Sequence, residues 1–178
     1  MKKQDPRIER TRQNIMNGFM RLIKQKKFSE ITISDITKEA EINRSTFYYH
    51  FIDKYDLIDV IQKEVLTKEI FKDIALQEVI DEQTISMSLQ AIIGTQINLS
   101  LQCQHALEEF KLKMDSEIKQ RLTETLQALL DKEHGVKEEH YAVATFWSWG
   151  IYGVAMACVE GKETIHTAVN RLTNIILG

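Results

Sequence analysis

Residues 44–51 read RSTFYYHF, a run whose types and spacing suit recognition chemistry. In a helix Phe47 and Phe51, four residues apart, stack on one face and bury against Ile36, Ile42 and Leu57. That turns Ser45 and Tyr49 outward, with Thr46 and Tyr48 on their flanks and Arg44 in the first turn. Hydroxyls, aromatic rings and one guanidinium on a helix anchored by two phenylalanines are the layout of a major-groove reader. A solvated face of a small bundle helix has the same spacing. Enzyme readings are poor. GKET at Gly161 to Thr164 lacks the upstream glycine of a phosphate loop, and the S-x-x-K match at Ser116 to Lys119 falls in an ordinary amphipathic helix. His105 near Cys103, and His134 with His140, lack structural-zinc spacing. We expect no enzyme, no metal and no cofactor.

The elements around this run are short and capped. A first helix is predicted from about Arg7 to Lys26, with Ile8, Ile15, Phe19, Leu22 and Ile23 on one face and Pro6 at its start. Phe28 and Ile31 close it off. Thr32 with Asp35 opens a second helix to about Ala40, and Asn43 caps a third over Arg44 to Phe51. A fourth begins at Lys54 and is expected to continue through Ile58, Ile61, Val65 and Ile70 to about Ile80. Charge follows the same division. Residues 1–60 carry 12 Lys and Arg against 9 Asp and Glu, and residues 61–178 carry 11 against 17. A basic head on an acidic body, with net charge −3 overall, fits contact with phosphate at one end.

One proline, seven glycines and 28% charged residues, with repeated 3.6-residue periodicity, predict an all-α protein. We divide it into a helix-turn-helix DNA-binding domain (1–53), a connecting helix (54–80) and a helical ligand-sensing and dimerisation domain (81–178). Body helices are expected at about Thr84–Leu101, Gln104–Met114, Ser116–Lys132, Lys137–Glu160 and Lys162–Leu177. Two cysteines in no repeated spacing, and no apolar run after the N-terminal charges, suggest a cytoplasmic protein. Residues 141–159 carry no charge over 19 positions. That allows a membrane span, but Thr145, Ser148 and two glycines favour a helix buried between its own domain and a partner subunit. Gly153, Ala157 and Gly161 make a smooth strip for close helix approach, and Ile165, Val169, Leu172 and Ile176 an apolar seam, so a homodimer through the last two helices is expected. Large apolar side chains suggest a cavity for a lipophilic or aromatic effector, with Met87, Ile93, Ile97, Phe110, Met114, Phe146, Trp149 and Met156 as its lining.

The run TISDITKEAEINRSTFYYHFIDKYDLI closely resembles the helix-turn-helix signature of the TetR family of one-component bacterial regulators. The resemblance covers about residues 7–60 and is most specific from Ile36 to Leu57. It implies that Thr32, Tyr48, His50 and Lys54 grip the phosphate backbone of double-stranded DNA, and that Arg44, Ser45, Thr46 and Tyr49 approach base edges of a pseudo-palindromic operator. Repression released by a small molecule is the logic it implies, and a four-helix dimer interface the architecture. The ending FWSWGIYGVAMACVEGKETIHTAVNRLTNIIL looks like the shorter C-terminal domains of such regulators in low-GC Gram-positive bacteria. One position departs from the pattern: Glu41 stands where the family places a turn glycine. Positive φ without glycine costs roughly 1 kcal/mol, and an acid lies near the expected phosphates. It motivates the alternative of a coactivator or adaptor that keeps the fold and acts by protein contact.

Overall fold

The computed structural model describes residues 5–61, 71–102 and 108–178, and of 98–102 and 108–110 the backbone alone. These residues form eight α-helices and no strand. α1 (Pro6–Ile23), α2 (Ile33–Glu39), α3 (Arg44–His50) and α4 (Lys54–Ile61) build the head, while α5 (Glu82–Gln102), α6 (Glu108–His134), α7 (His140–Val159) and α8 (Ile165–Leu177) build the body.

The head folds as its caps dictate. Asp5 accepts the Arg7 N–H at the start of α1, and Pro6 occupies a first-turn position where no N–H is needed. Phe19, Ile23, Phe28, Ile36, Phe47 and Leu57 meet in a core from which solvent is excluded. α1 crosses α2 closely at Gly18, where an added Cβ would lie 3.3 Å from the Ala40 nitrogen. Between α2 and α3 the chain reverses through Glu41 at φ +54°. The turn thus keeps the left-handed conformation without its glycine.

Two expected elements differ. The helix begun at Lys54 is described only to Ile61; Val65 and Ile70 lie outside the described residues, and 71–81 form a turn and a 3₁₀ segment (Ile74–Leu76) in place of further α-helix. Phe71, Ile74 and Ile80 bury in the core from this irregular stretch, so apolar residues that mimic a helical period serve a turn. In the body, no break separates Met114 from Ser116: α6 is one helix of 27 residues. Met114, Ile118, Leu122, Leu126 and Leu129 hold a single buried face across that point. Asp115 caps nothing and accepts a hydrogen bond from Gln96 Nε2 of α5 at 2.8 Å.

α7 is the central body helix, packed on α6, α5 and α8. It buries His140, Ala144, Ser148, Ile151 and Ala155, one residue per turn. Its polar contacts with α6 include Ser148 Oγ to Thr123 Oγ1 at 2.6 Å and His140 Nδ1 to Asp131 at 2.7 Å. By length and composition α7 is apolar enough to cross a membrane. Here one side of it is committed to three neighbouring helices.

Candidate nucleic-acid interface

The site is built from the start of α2 to the start of α4. Thr32 and Asp35 form a reciprocal capping box: the Asp35 nitrogen donates to Thr32 Oγ1 at 3.1 Å, and the Thr32 N–H and hydroxyl donate to Asp35 Oδ2 at 2.8 and 2.7 Å. Those two bonds, with Lys26 paired at 3.0 Å, hold the Asp35 carboxyl down at about 2. Asn43 Oδ1 opens α3 by accepting from the Thr46 N–H and from the Ser45 and Thr46 hydroxyls, each at 2.7 Å. The short helix is thereby pinned at its first turn and, by Phe47 and Phe51, along its inner face.

Its outer face is what the spacing predicts. Tyr49 is 70% exposed and Tyr48 47%, with Arg44 and Ser45 also open to solvent. Arg44 reaches forward to Tyr48, donating to its hydroxyl at 3.3 Å with its guanidinium 5.7 Å from the ring centre. This pairing holds two long side chains ready on one edge. Thr46 is half-buried against its cap, which leaves Ser45 as the more accessible hydroxyl. His50 is half-buried at the helix end; burial and then the charge of Arg12 push its pKa below the usual range, while Glu9 opposes them.

Lys54, expected on phosphate, has partners inside the protomer. Its Nζ donates to the carbonyls of Phe28, Ser29 and Ile31 at 2.9, 3.4 and 2.8 Å and lies 4.6 Å from the Phe28 ring centre. An ammonium has three protons, and all three are taken. Desolvation pushes its pKa down. Lys54 therefore ties α4 to the segment just before Thr32. Sequence reasoning missed this because the partners are main-chain atoms up to 26 residues away. It also missed Arg12, whose guanidinium lies 5.7 Å from the Phe51 ring centre beside the reader helix, and the Lys113–Asp59 ion pair at 2.7 Å, which joins α6 of the body to α4.

The profile of the bacterial regulatory proteins of the tetR family matches residues 15–61, the span that contains this interface. The match is confined to the head. An uncharacterized HTH-type transcriptional regulator of Bacillus subtilis, YxbF, is 33% identical over 85 residues; that stretch is 47% of this chain and 20% of the relative. The chain thus spans a fifth of that relative's length. Solved structures of transcriptional regulators match nearly the whole chain. A TetR transcriptional regulator from Streptococcus agalactiae superimposes with TM-score 0.61 at 19% identity, covering 96% of this chain and 95% of that one. NalD, the secondary repressor of the MexAB-OprM multidrug efflux pump in Pseudomonas aeruginosa, gives 0.56 at 16%, covering 95% and 96%. The dihydroxyacetone kinase operon activator DhaS gives 0.56 at 19%, covering 94% of each. At these identities the likeness concerns the fold alone, in the head and the body.

The body residues singled out from sequence are distributed differently from the expectation. Ile93 and Met114 are core, Met87 and Met156 half-buried, and Ile97 45% exposed. Phe146 and Trp149, expected to line a cavity, are 71% and 60% exposed: Phe146 on the side of α7 opposite its buried residues, Trp149 beside α6 with Lys119 4.3 Å from its ring centre. The side chain of Phe110 lies outside the described residues. Gly161, expected in a packing strip, lies past the end of α7 at φ +74°, its N–H bonded to the Cys158 carbonyl and that of Lys162 to the Ala157 carbonyl. Val169 and Leu172 are buried within the protomer, while Ile165 is 39% exposed, Ile175 68% and Ile176 half-buried.

Proposed function

We propose that the protein is a dimeric transcriptional regulator that binds operator DNA through α3 and is released from it by a small-molecule effector. The observation that carries the reading is the outer face of α3: Arg44, Ser45, Tyr48 and Tyr49 stand exposed on a helix whose inner face is locked by Phe47 and Phe51. Arg44, Ser45 and Tyr49 reach base edges, with Thr46 behind them. Tyr48, His50 and Thr32 meet phosphate. Pairing through α7 and α8 supports the same reading, since Phe146, Gly150, Gly153 and Ile175 leave an apolar side open to solvent. An apolar α7 is then explained by a second subunit rather than a bilayer. Two readers related by a two-fold axis must lie about 34–36 Å apart, or a multiple of that, to enter successive major grooves on one side of the duplex.

The test is fluorescence anisotropy with the DNA upstream of the protein's own gene and with random duplex. Arg44→Ala and Tyr49→Ala should each cost about 1–3 kcal/mol on the operator and less on random sequence. Folded dimers of both variants that keep wild-type operator affinity would remove α3 as the reader and favour the adaptor reading, for which the exposed Glu41 at the turn is the supporting feature.

A further inference from the structure

Between α6 and α7 lies an open groove of about 370 Å³. Ser116, Lys119 and Thr123 come to it from α6, spaced one helical turn apart, and Tyr141, Thr145 and Trp149 from α7 at four-residue steps. The bond between Thr123 and Ser148 holds the two helices together beneath it. Its polar groups are unequally committed. Glu124, also on the wall, is paired with Arg121 at 3.2 Å and accepts from Gln120 at 3.1 Å. Thr145 donates to the Tyr141 carbonyl. By contrast, the Ser116 and Tyr141 hydroxyls, the Trp149 indole N–H and the Lys119 ammonium have no hydrogen-bond partner among the described residues. Lys119 rests instead on aromatic faces, 4.3 Å from the Trp149 ring centre and 5.1 Å from that of Tyr152. Asp115, one turn before it, has its oxygens engaged by Gln96 and Tyr152, whose phenol is pushed well above its usual range by burial and then by that carboxylate.

Four uncommitted donors, one of them cationic, around an indole and a phenol ask for a ligand that accepts hydrogen bonds, carries negative charge and has a flat apolar body. We propose that this groove binds a small aromatic carboxylate: the carboxylate on Lys119 and Ser116, the ring against Trp149 and Tyr141. The site shares Trp149 alone with the apolar lining expected from sequence, and the proposal rests on the reading of the protein as an effector-responsive regulator. α6, which forms one wall, also carries Lys113, the partner of Asp59 on α4. Movement of this wall therefore reaches the helix that Lys54 ties to the start of α2.

The experiment is a fluorescence titration of full-length protein in a Trp147→Phe background, so that Trp149 reports alone, using benzoate, its uncharged analogue benzamide, and acetate. Benzoate should quench saturably, with benzamide and acetate each about tenfold weaker or worse, the effect of losing one charge-assisted hydrogen bond or the ring contact. Lys119→Met should abolish the preference for benzoate over benzamide, and Lys119→Arg should restore it. Ser116→Val should weaken benzoate alone. Absence of saturable quenching, as from a groove already filled by the second subunit, would overturn the proposal. So would equal affinity for benzoate and benzamide, equal affinity for benzoate and acetate, or indifference to Lys119→Met. The titration contains no DNA. A failed quench leaves operator binding standing, and a failed anisotropy assay leaves the groove standing.

Discussion

α3 and α7 both turn large aromatic side chains to solvent, for opposite reasons. On α3 the exposed Tyr48 and Tyr49 alternate with a guanidinium and hydroxyls, and the polar groups beneath them on Asn43, Asp35 and Lys54 already have internal partners. On α7 the open side runs through Ala142, Phe146, Gly150 and Gly153 with scarcely a polar side-chain atom. A polar surface can face water without a partner; a contiguous apolar one marks an interface. On the proposed dimeric reading, the head is finished as a single protomer and the body is not. Substitutions should separate the two conditions, since damage to the head should be intramolecular and damage to the outer side of α7 should depend on protein concentration.

The largest effect is expected at Phe47, which is fully buried beneath the reader face with Phe51 5.9 Å away and Tyr48 5.6 Å away, ring centre to ring centre. Phe47→Ala should cost about 3–5 kcal/mol and lower the melting temperature equally at low and high protein concentration. Gly153→Glu comes next. A Cβ at Gly153 meets nothing within 4 Å inside the protomer, so the substitution is harmless to one subunit alone. Across a closed dimer seam it buries an unpaired charge at about 3 kcal/mol or more. Analytical ultracentrifugation should find folded monomers; an unchanged dimer would place the interface on another surface.

What was legible in the sequence divides along the same line. The capping box at Thr32, the cap at Asn43 and the Phe47–Phe51 anchor were readable because their partners lie within four residues, where composition and period decide geometry. The left-handed turn at Glu41 was legible only through the resemblance, which places a turn glycine there. The partners of Lys54 were not legible because they are main-chain carbonyls 23 to 26 residues away, and no side-chain pattern encodes a carbonyl. Continuous α6 was missed because Asp115 looked like a boundary, whereas Gln96 and Tyr152 from other helices satisfy it. On α7, nearly every position is apolar, so period alone could not tell the inward side from the outward one, and Phe146, expected inside, faces solvent.

Lys54→Met sharpens the comparison from within the head. If its ammonium serves the three carbonyls, the variant should lose about 1.5–3 kcal/mol of stability, the range for hydrogen bonds to a charged donor. The slope of log operator affinity against log salt should stay as in the parent. A lysine on phosphate gives the reverse: unchanged melting and a slope smaller by about one. Thermal melts paired with a salt series decide between them.

His50 gives the smallest effect and tests whether the half-buried end of α3 meets phosphate. Its pKa is depressed in the free protein by burial and by Arg12, so at neutral pH it is uncharged. Because the unfolded chain binds that proton more readily, stability should rise with pH through the histidine range and decline as pH falls below about 6.5. A phosphate oxygen beside the ring favours the charged form and raises the pKa of the bound state above that of the free state. Binding then takes up a proton, and operator affinity should increase as the pH drops. About threefold between pH 7.5 and 6 is expected, well inside the tenfold per pH unit that one proton allows. His50→Gln keeps a hydrogen-bond donor but cannot titrate, so it should flatten the profile with little change at pH 7.5. A profile that keeps its slope in His50→Gln assigns the proton uptake to another group and removes His50 from the phosphate contacts.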